Sequence, residues 1–338
     1  MSAPLPGISV LIPTLNAERY LDECLRSVRD QDYPANLIEI LVADAGSTDS
    51  TLEILRRHGV DRIIGNPGLS GESARAILNR LASRELILSI DSDNYLVGSD
   101  WLRRMVKPLQ EDATVFACEP LRWDVAAQDP PLNRYFALTG VNDPVSLFMG
   151  NYGRFSYLTG RWTEMPHAEA MKDGYRVAEL RPGLVPTMGA NGYLARTELV
   201  RRVTTSDRYF DIDAVVQLVA MGHRRIAKVD VAIGHHFAAN LSALNRKIRR
   251  RIEDFLFYRR ERRYPWLKSG QLSLLRFCVY TMLVIPLVWQ TAGGWMRKRD
   301  SAWLYHVPVC WLTLVLYARA VLMFQVRRAP HSRVGWRH

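Results

Sequence analysis

The sequence predicts an α/β fold with a mostly parallel central sheet, followed by a basic segment and a short apolar C-terminal region. Three observations carry this. Apolar, strand-like runs alternate with stretches of helical periodicity from residue 8 to residue 91. The last of these runs, LILSI, passes straight into Asp91, Ser92, Asp93 and Asn94. Composition is ordinary over the first two thirds of the chain, after which clustered arginines and then long uncharged stretches take over.

The elements follow in order. ISVLIPT (8–14) is apolar on both faces and reads as a buried strand. In ERYLDECLRSVRDQ (18–31), Tyr20, Leu21, Cys24, Leu25 and Val28 recur at helical spacing. IEILVAD (38–44) is the second strand, and STDSTLEILRRHG opens with helix-capping residues and closes on Gly59. A short strand near 61–64, a helix over about 71–83 and ELILSID (85–91) complete a βαβαβαβ order, which implies parallel pairing. A strand buried on both faces keeps charges only at its end, where water or a cation reaches them.

Bulk properties narrow the function classes. The 338 residues carry a net charge of +11 and a pI near 9.7, enough length for one large domain or two. Four cysteines without a CxxC pair suggest neither a disulfide framework nor a zinc ribbon. MSAPLPGISVLIPTLN lacks a basic n-region and a long apolar stretch, so no signal peptide is expected. The positive excess is heaviest in RKIRRRIEDFLFYRRERRYPWLK (246–268), beside two uncharged stretches at 277–296 and 302–318. Each is close to the length that crosses a hydrocarbon core. Basic and aromatic residues beside such stretches read as a membrane interface, so membrane lipids and not nucleic acid are the expected partners. Pro286 and Pro308 fall inside the apolar stretches and the connecting loop is RKRDS. Two crossing helices or a re-entrant hairpin both fit.

In open α/β sheets, ligands collect at the carboxyl ends of the strands. Here those ends are Pro13-Thr14-Leu15-Asn16, Asp44-Ala45-Gly46-Ser47 and Asp91-Ser92-Asp93. Any one alone is an ordinary solvated turn; three polar clusters on one edge point to a site.

IPTLNAERYLDECLRSVRDQDYP, LVADAGSTDST and the DSD of Asp91–Asp93 together resemble the inverting family 2 glycosyltransferases of the GT-A fold, of membrane-anchored bacterial type. The resemblance spans about 1–240. It implies that Pro13 and Thr14 line the nucleotide base, that Asn16 belongs to the same donor side, and that Asp44 hydrogen-bonds the base. Ala45 stands where many relatives carry a second Asp. Arg75 falls where relatives place an arginine near the donor diphosphate, with Ala76 replacing the usual Asn; the plain alternative is a solvated helix arginine. By the same resemblance Asp91 contacts the ribose, Ser92 lies beside it, and Asp93 binds Mg²⁺ or Mn²⁺. A diphosphate leaving group carries large negative charge, which hard-oxygen-bound divalent cations stabilise.

The stretch TSDRYFDIDAVVQLVAMGHRRIAKVDVAIGHHF resembles the family segment in which an Asp opens a helix, a Gly ends it and a His closes the next strand. This resemblance makes Asp211 the general base, Asp213 a second acidic residue on the acceptor side, and His235 a metal ligand, with His236 as the other candidate. Phe210 replaces the Glu that usually precedes the base, a change that either alters acceptor contacts or raises the pKa of Asp211 by desolvation. PTMGANGYLAR (186–196) resembles the acceptor-lining loop, implicating Gly189, Ala190 and Asn191. Arg246 and Arg249 match the frame of the (Q/R)xxRW motif, with Arg250 in place of its tryptophan. These three arginines are assigned to the donor diphosphate or a lipid headgroup. The missing tryptophan and the few apolar segments disfavour a processive polymerase.

The expected organisation is a GT-A domain over 1–240 (nucleotide-sugar half 1–100, acceptor half 101–240), a basic interfacial segment over 241–270, two membrane or re-entrant helices over 271–328, and a basic tail over 329–338. The expected function is transfer of a sugar from a UDP- or GDP-linked donor to a hydroxyl of a lipid-linked acceptor at the cytoplasmic face of the inner membrane. Transfer to polyprenyl phosphate is the alternative. An inactive nucleotide-binding scaffold is disfavoured because Asp93 and Asp211 are both present.

Overall fold

The structure, a computed structural model, describes residues 4–258, 261, 262, 264 and 271–327. The first half follows the expected alternation: β1 (Ile8–Thr14), α1 (Glu18–Arg29), β2 (Ile38–Asp44), α2 (Thr51–Arg57), β3 (Arg62–Gly65), α3 (Gly71–Leu81) and β4 (Leu86–Ser89). These four strands pair in parallel, with Thr14 in register with Asp44. Then come β5 (Asn94–Leu96), α4 (Trp101–Glu111), β6 (Val115–Trp123), α5 (Pro131–Thr139), α6 (Pro144–Met149), β7 (Ala168–Lys172), β8 (Tyr175–Glu179), β9 (Tyr193–Arg196), α7 (Thr197–Val203), α8 (Asp211–Ala220) and β10 (Arg225–His235).

The sheet has ten strands in the order β3-β2-β1-β4-β9-β6-β10-β8-β7, with β5 paired to β10. It is mixed, which corrects the expectation of a mostly parallel sheet. β9 runs antiparallel to both of its neighbours, β4 and β6. β8 is antiparallel to β10, and β7 to β8. The cause lies in the connections: β6 reaches β9 through two short helices and the β7–β8 hairpin, not through a crossover helix that would restore parallel direction. Leu21, Leu25, Leu55, Trp101 and Met105 cover one face of the sheet. Leu78, Leu199, Val215 and Leu218 cover the other.

The C-terminal part comprises α9 (Leu241–Tyr258), α10 (Gln271–Leu283), α11 (Ile285–Arg297), a 3-10 turn over Ser301–Tyr305 and α12 (His306–Arg327). The apolar run 277–296, expected as one span, is broken: α10 and α11 meet at 94°. Val284 at the corner has φ 62°, and Pro286 in the first turn of α11 has no N–H to continue the preceding helix. Among the described residues one helix, over 301–322, is long and apolar enough to cross a membrane, and a second counts only if the bent pair is one span. The tail 329–338 and residues 265–270 of the basic segment lie outside the described residues.

These helices are not an appendage. Tyr135 and Phe136 of α5, Leu244 and Ile248 of α9, Trp303, and Val309 of α12 form one buried cluster. Gly294 makes this packing possible, because a Cβ there would lie 2.7 Å from the Trp303 ring. Arg134 of α5 grips Asp300 of the connecting loop through Nε and Nη2 at 3.0–3.2 Å. Tyr317, well along α12, donates to Asp143 at the head of α6 at 2.6 Å. Yet the outer faces of α10 and α11 expose Leu272, Leu275, Met282, Leu283, Val288, Trp289 and Met296. An apolar surface of that extent requires cover. The full chain is therefore expected to need detergent for extraction and to aggregate when detergent is removed. Monodisperse protein in plain buffer by light scattering would refute this.

Candidate active site

Three parallel strand ends build the donor side. Asp44, at the end of β2, accepts from Thr14 Oγ1 at 3.0 Å and from Ser47 Oγ at 2.5 Å through Oδ1. Its Oδ2 accepts the backbone N–H groups of Gly46 at 2.9 Å and Ser47 at 2.8 Å. Asn16 has φ 48°, and its Oδ1 accepts from the Thr48 backbone at 2.9 Å. Thr14, Asn16 and Asp44 are thus one hydrogen-bonded unit next to Pro13. Asp44 spends both oxygens ordering the 44–48 turn.

Arg75 sits in the second turn of α3, whose start is fixed by a reciprocal Ser70–Ser73 capping box. Its Nη2 donates to Asp91 Oδ1 at 2.6 Å. Its Nε lies 3.2 Å from Asp211 Oδ1. The guanidinium is 13% exposed, against 32% for Asp91 and 20% for Asp211. One cation therefore joins the end of β4 to the start of α8, residues 120 positions apart. A solvated helix arginine, the alternative weighed above, does not describe it. Burial pushes the Asp211 carboxyl up to about 7, with Arg75 pulling it down and Asp91 pushing it further up. Burial raises Asp91 as well, against the pull of Arg75. Ser92 is half-buried in the turn between the two aspartates.

Asp93 and His235 converge from neighbouring elements, because β5 pairs with the end of β10 and sets Asn94 opposite His235. Asp93 Oδ1 is 3.5 Å from His235 Nε2. Burial pushes the imidazole down to about 4, so it is neutral at pH 7 and fit to be a ligand. Asp93 moves the other way: burial pushes it up, but His235 and Lys247 together hold it below the ordinary carboxylate range. His236 turns elsewhere, stacking on Tyr20 at 4.2 Å and meeting Glu23 at 2.7 Å.

The loop over 189–191 packs directly on Asp211. Gly189 has φ +105°, and a Cβ there would lie 2.7 Å from the Asp211 carbonyl oxygen. The carbonyls of Ala190 and Asn191 accept from Arg154 Nη2 at 3.2 and 2.8 Å. The Asn191 side-chain oxygen is buried without a protein partner among the described residues. Asp213 lies apart from this loop: its carboxylate accepts from Arg262 Nε at 2.8 Å and the Tyr264 backbone at 2.9 Å, tying down the segment after α9. Arg246, Arg249 and Arg250 lie on the exposed side of α9, away from Leu244, Ile248 and Ile252.

Two features went unread in the sequence. Lys247 on the inner side of α9 reaches Asp93 Oδ2 at 3.1 Å. The spacing of Leu244, Ile248 and Ile252 would have marked it, together with Arg251, as a cation on the packed side. Behind the acceptor loop, Glu119 accepts from Arg154 at 2.5 Å, Lys228 at 2.9 Å and the Gly189 backbone at 2.9 Å. Charges set inside the apolar strands VFACEPLRW and IAKVDVAIG, Glu119 and Lys228, are the available signal.

Residues 9–164 match the family described as Glycosyl transferase family 2. The chain is 36% identical over 94 residues to poly(ribitol-phosphate) beta-N-acetylglucosaminyltransferase TarS of Staphylococcus aureus (strain MW2), covering 26% of this chain and 16% of that protein. It is 47% identical over 49 residues to a dolichyl N-acetyl-alpha-D-glucosaminyl phosphate 3-beta-D-2,3-diacetamido-2,3-dideoxy-beta-D-glucuronosyltransferase of Methanococcus voltae, covering 14% and 15%. The chain thus spans well under two thirds of the length of these curated relatives. Among solved structures, it resembles mannosyltransferase PcManGT from Pyrobaculum calidifontis in complex with GDP-Man and Mn²⁺, with TM-score 0.55, 18% identity and coverage of 95% and 88%. That likeness establishes a GT-A-like fold.

Removing Arg75 should leave two neighbouring carboxylates without their shared cation. Arg75→Met is expected to destabilise the protein by about 2 to 4 kcal/mol, less than a fully buried pair would lose because Asp91 is a third exposed. Arg75→Met with Asp211→Asn should recover part of that loss, because the repulsion disappears. Denaturant unfolding in mild detergent measures both, and equal stability of wild type and Arg75→Met would contradict the bridging role.

Proposed function

We propose, from a chain whose residues 9–164 form a family 2 glycosyltransferase domain, that the protein transfers a sugar with inversion from a UDP- or GDP-sugar to a hydroxyl on a lipid-linked acceptor. The observation that carries this reading is Asp211: a carboxylate at the start of α8, one-fifth exposed, held by Arg75 and poised near pH 7. A hydroxyl nucleophile needs such a base, and a pKa near the operating pH is where general-base efficiency peaks. A phosphate acceptor is already ionised and needs none.

The residues divide the work. Thr14, Asn16 and Asp44 order the base-side floor, and Asp91 faces the donor from the next strand end. Asp93 and the neutral His235 fit a hard divalent ion such as Mg²⁺ or Mn²⁺, which takes few protein ligands and fills its other positions with phosphate and water. Bound there, the ion would neutralise the departing diphosphate. Lys247 brings a second positive charge to the same place. Asp211 takes the acceptor proton, and Arg75 keeps the resulting acid and Asp91 in fixed relation. Gly189 gives the acceptor loop its close seat on the base.

The C-terminal helices support a membrane setting. Asp300 and Trp303 pack on α5, so the loop between α11 and α12 lies on the catalytic side. A bent α10–α11 pair that enters and leaves on that side keeps the basic RKRDS loop at the cytoplasmic face, as the positive-inside tendency requires. Arg246, Arg249 and Arg250 then belong to an interfacial helix facing anionic headgroups.

Two measurements test the reading. Asp93→Ala should abolish transfer and chelator should do the same to wild type; full turnover in excess chelator would reject the metal-assisted mechanism. Asp211→Asn should lower turnover by about 10²- to 10⁴-fold with nucleotide affinity little changed. The reactive form of Asp211 is the carboxylate, so kcat/KM should rise with pH up to about 7 and flatten above it. A loss below about tenfold in Asp211→Asn, with lipid acceptor present, would move the assignment to a phosphate acceptor.

A further inference from the structure

A cavity of about 600 Å³ opens between α6, the segment 150–164 and the bent pair α10–α11. That volume falls in the range of small-molecule sites, about 300–1,000 Å³. Its wall is apolar at Phe148, Tyr280, Ile285 and Trp289. Two guanidiniums, Arg276 and Arg297, enter the same lining against one carboxylate, Glu164, which leaves it net positive. Arg276 donates from Nη2 to the Phe148 carbonyl at 2.8 Å, and Arg297 donates from Nη1 to the Leu158 carbonyl. A guanidinium carries five N–H donors, so these bonds fix each group in place and leave donors for an anion.

The surroundings define what can reach it. Leu275, Met282, Leu283, Val288 and Met296 make the outer faces of α10 and α11 apolar. An occupant arriving through them must be apolar over most of its length and anionic at one end. The segment that closes the cavity also serves the catalytic side. Leu158, Thr159 and Glu164 line the cavity. Asn151 accepts from the Thr187 backbone at 2.6 Å, and Arg154 holds the Ala190 and Asn191 carbonyls of the loop packed on Asp211.

We infer that this cavity holds the phosphate-bearing end of the acceptor's lipid, with Arg276 and Arg297 on phosphate oxygens and Phe148, Tyr280 and Trp289 against the first carbons of the chain. The assignment rests on the lipid-linked acceptor of the proposed function, and it gives the apolar part of that acceptor a binding site.

The test uses the full chain in phosphatidylcholine nanodiscs with farnesyl phosphate as probe, farnesol as the phosphate-free control and UDP or GDP binding as the control for an intact catalytic half. Farnesyl phosphate should bind about tenfold or more tightly than farnesol. R276Q with R297Q should erase that difference and leave farnesol unaffected. Gly293→Phe should block both ligands, since nothing lies within 4 Å of a Cβ at that cavity-lining position. Nucleotide affinity should be unchanged throughout. Equal binding of farnesyl phosphate and farnesol, or full affinity in the arginine double variant, would overturn the site. Equal competition by phosphatidylglycerol would overturn it as an acceptor site, because any phospholipid would then fill it. Selective farnesyl phosphate binding in a protein that transfers no sugar to any lipid would support the site and overturn the proposed function alone.

Discussion

Arg75 is the one cation shared by two carboxylates that come from opposite halves of the catalytic domain. Asp91 ends β4 of the parallel half, and Asp211 starts α8 on the far side of the antiparallel insertion. Each carboxylate alone at this depth would be costly to ionise. The guanidinium lowers that cost for both, and its planar fork fixes their separation in a way that a lysine ammonium would not. Because burial and the nearby Asp91 act against Arg75 on Asp211, that carboxyl is left near neutrality. The proton affinity of Asp211 and the position of Asp91 are therefore both tied to one side chain.

Much of the catalytic half was legible in the sequence, for a definable reason. The β1–β4 run is local: each strand and helix announces itself by period, and the polar residues stand where the apolar runs stop. The antiparallel entry of β9 between β4 and β6 was not legible, since YLAR is four residues long and its direction depends on the route taken by 124–192. Lys247 was overlooked because RKIRRRIE reads as a uniform basic run until helical register separates Lys247 from Arg246, Arg249 and Arg250. Glu119, Arg154 and Lys228 are buried charges from three separate segments, and only their meeting explains any one of them. The resemblance puts Asp213 on the acceptor side with Asp211; two positions apart on α8, the two carboxylates point to different sides, and Asp213 turns to Arg262.

The boundary expected near residue 240 has a different character in the folded protein. Residues of α5, α9 and α12 bury one another, and the Arg134–Asp300 and Tyr317–Asp143 contacts span the same junction. The sheet and the apolar helices are thus held in a fixed relative orientation, so whatever covers the apolar faces of α10 and α11 also constrains how the sheet is oriented. The bend at Val284–Pro286 gives the apolar part its breadth: two helices at 94° cover more interface than one straight span of the same residues.

The position of β9 has a consequence for biosynthesis. β4 is hydrogen-bonded on one edge by β1 and on the other by β9. β9 is translated roughly a hundred residues after β4, so the nascent chain carries a finished parallel half with one open apolar edge for that whole interval. Such an edge is a template for the wrong partner. In this chain it closes on the same strand that brings the 189–191 loop against Asp211, and all of the apolar helices α10 to α12 emerge only after that closure is available. The order of synthesis lets the sheet seal before the most apolar segments of the chain leave the ribosome.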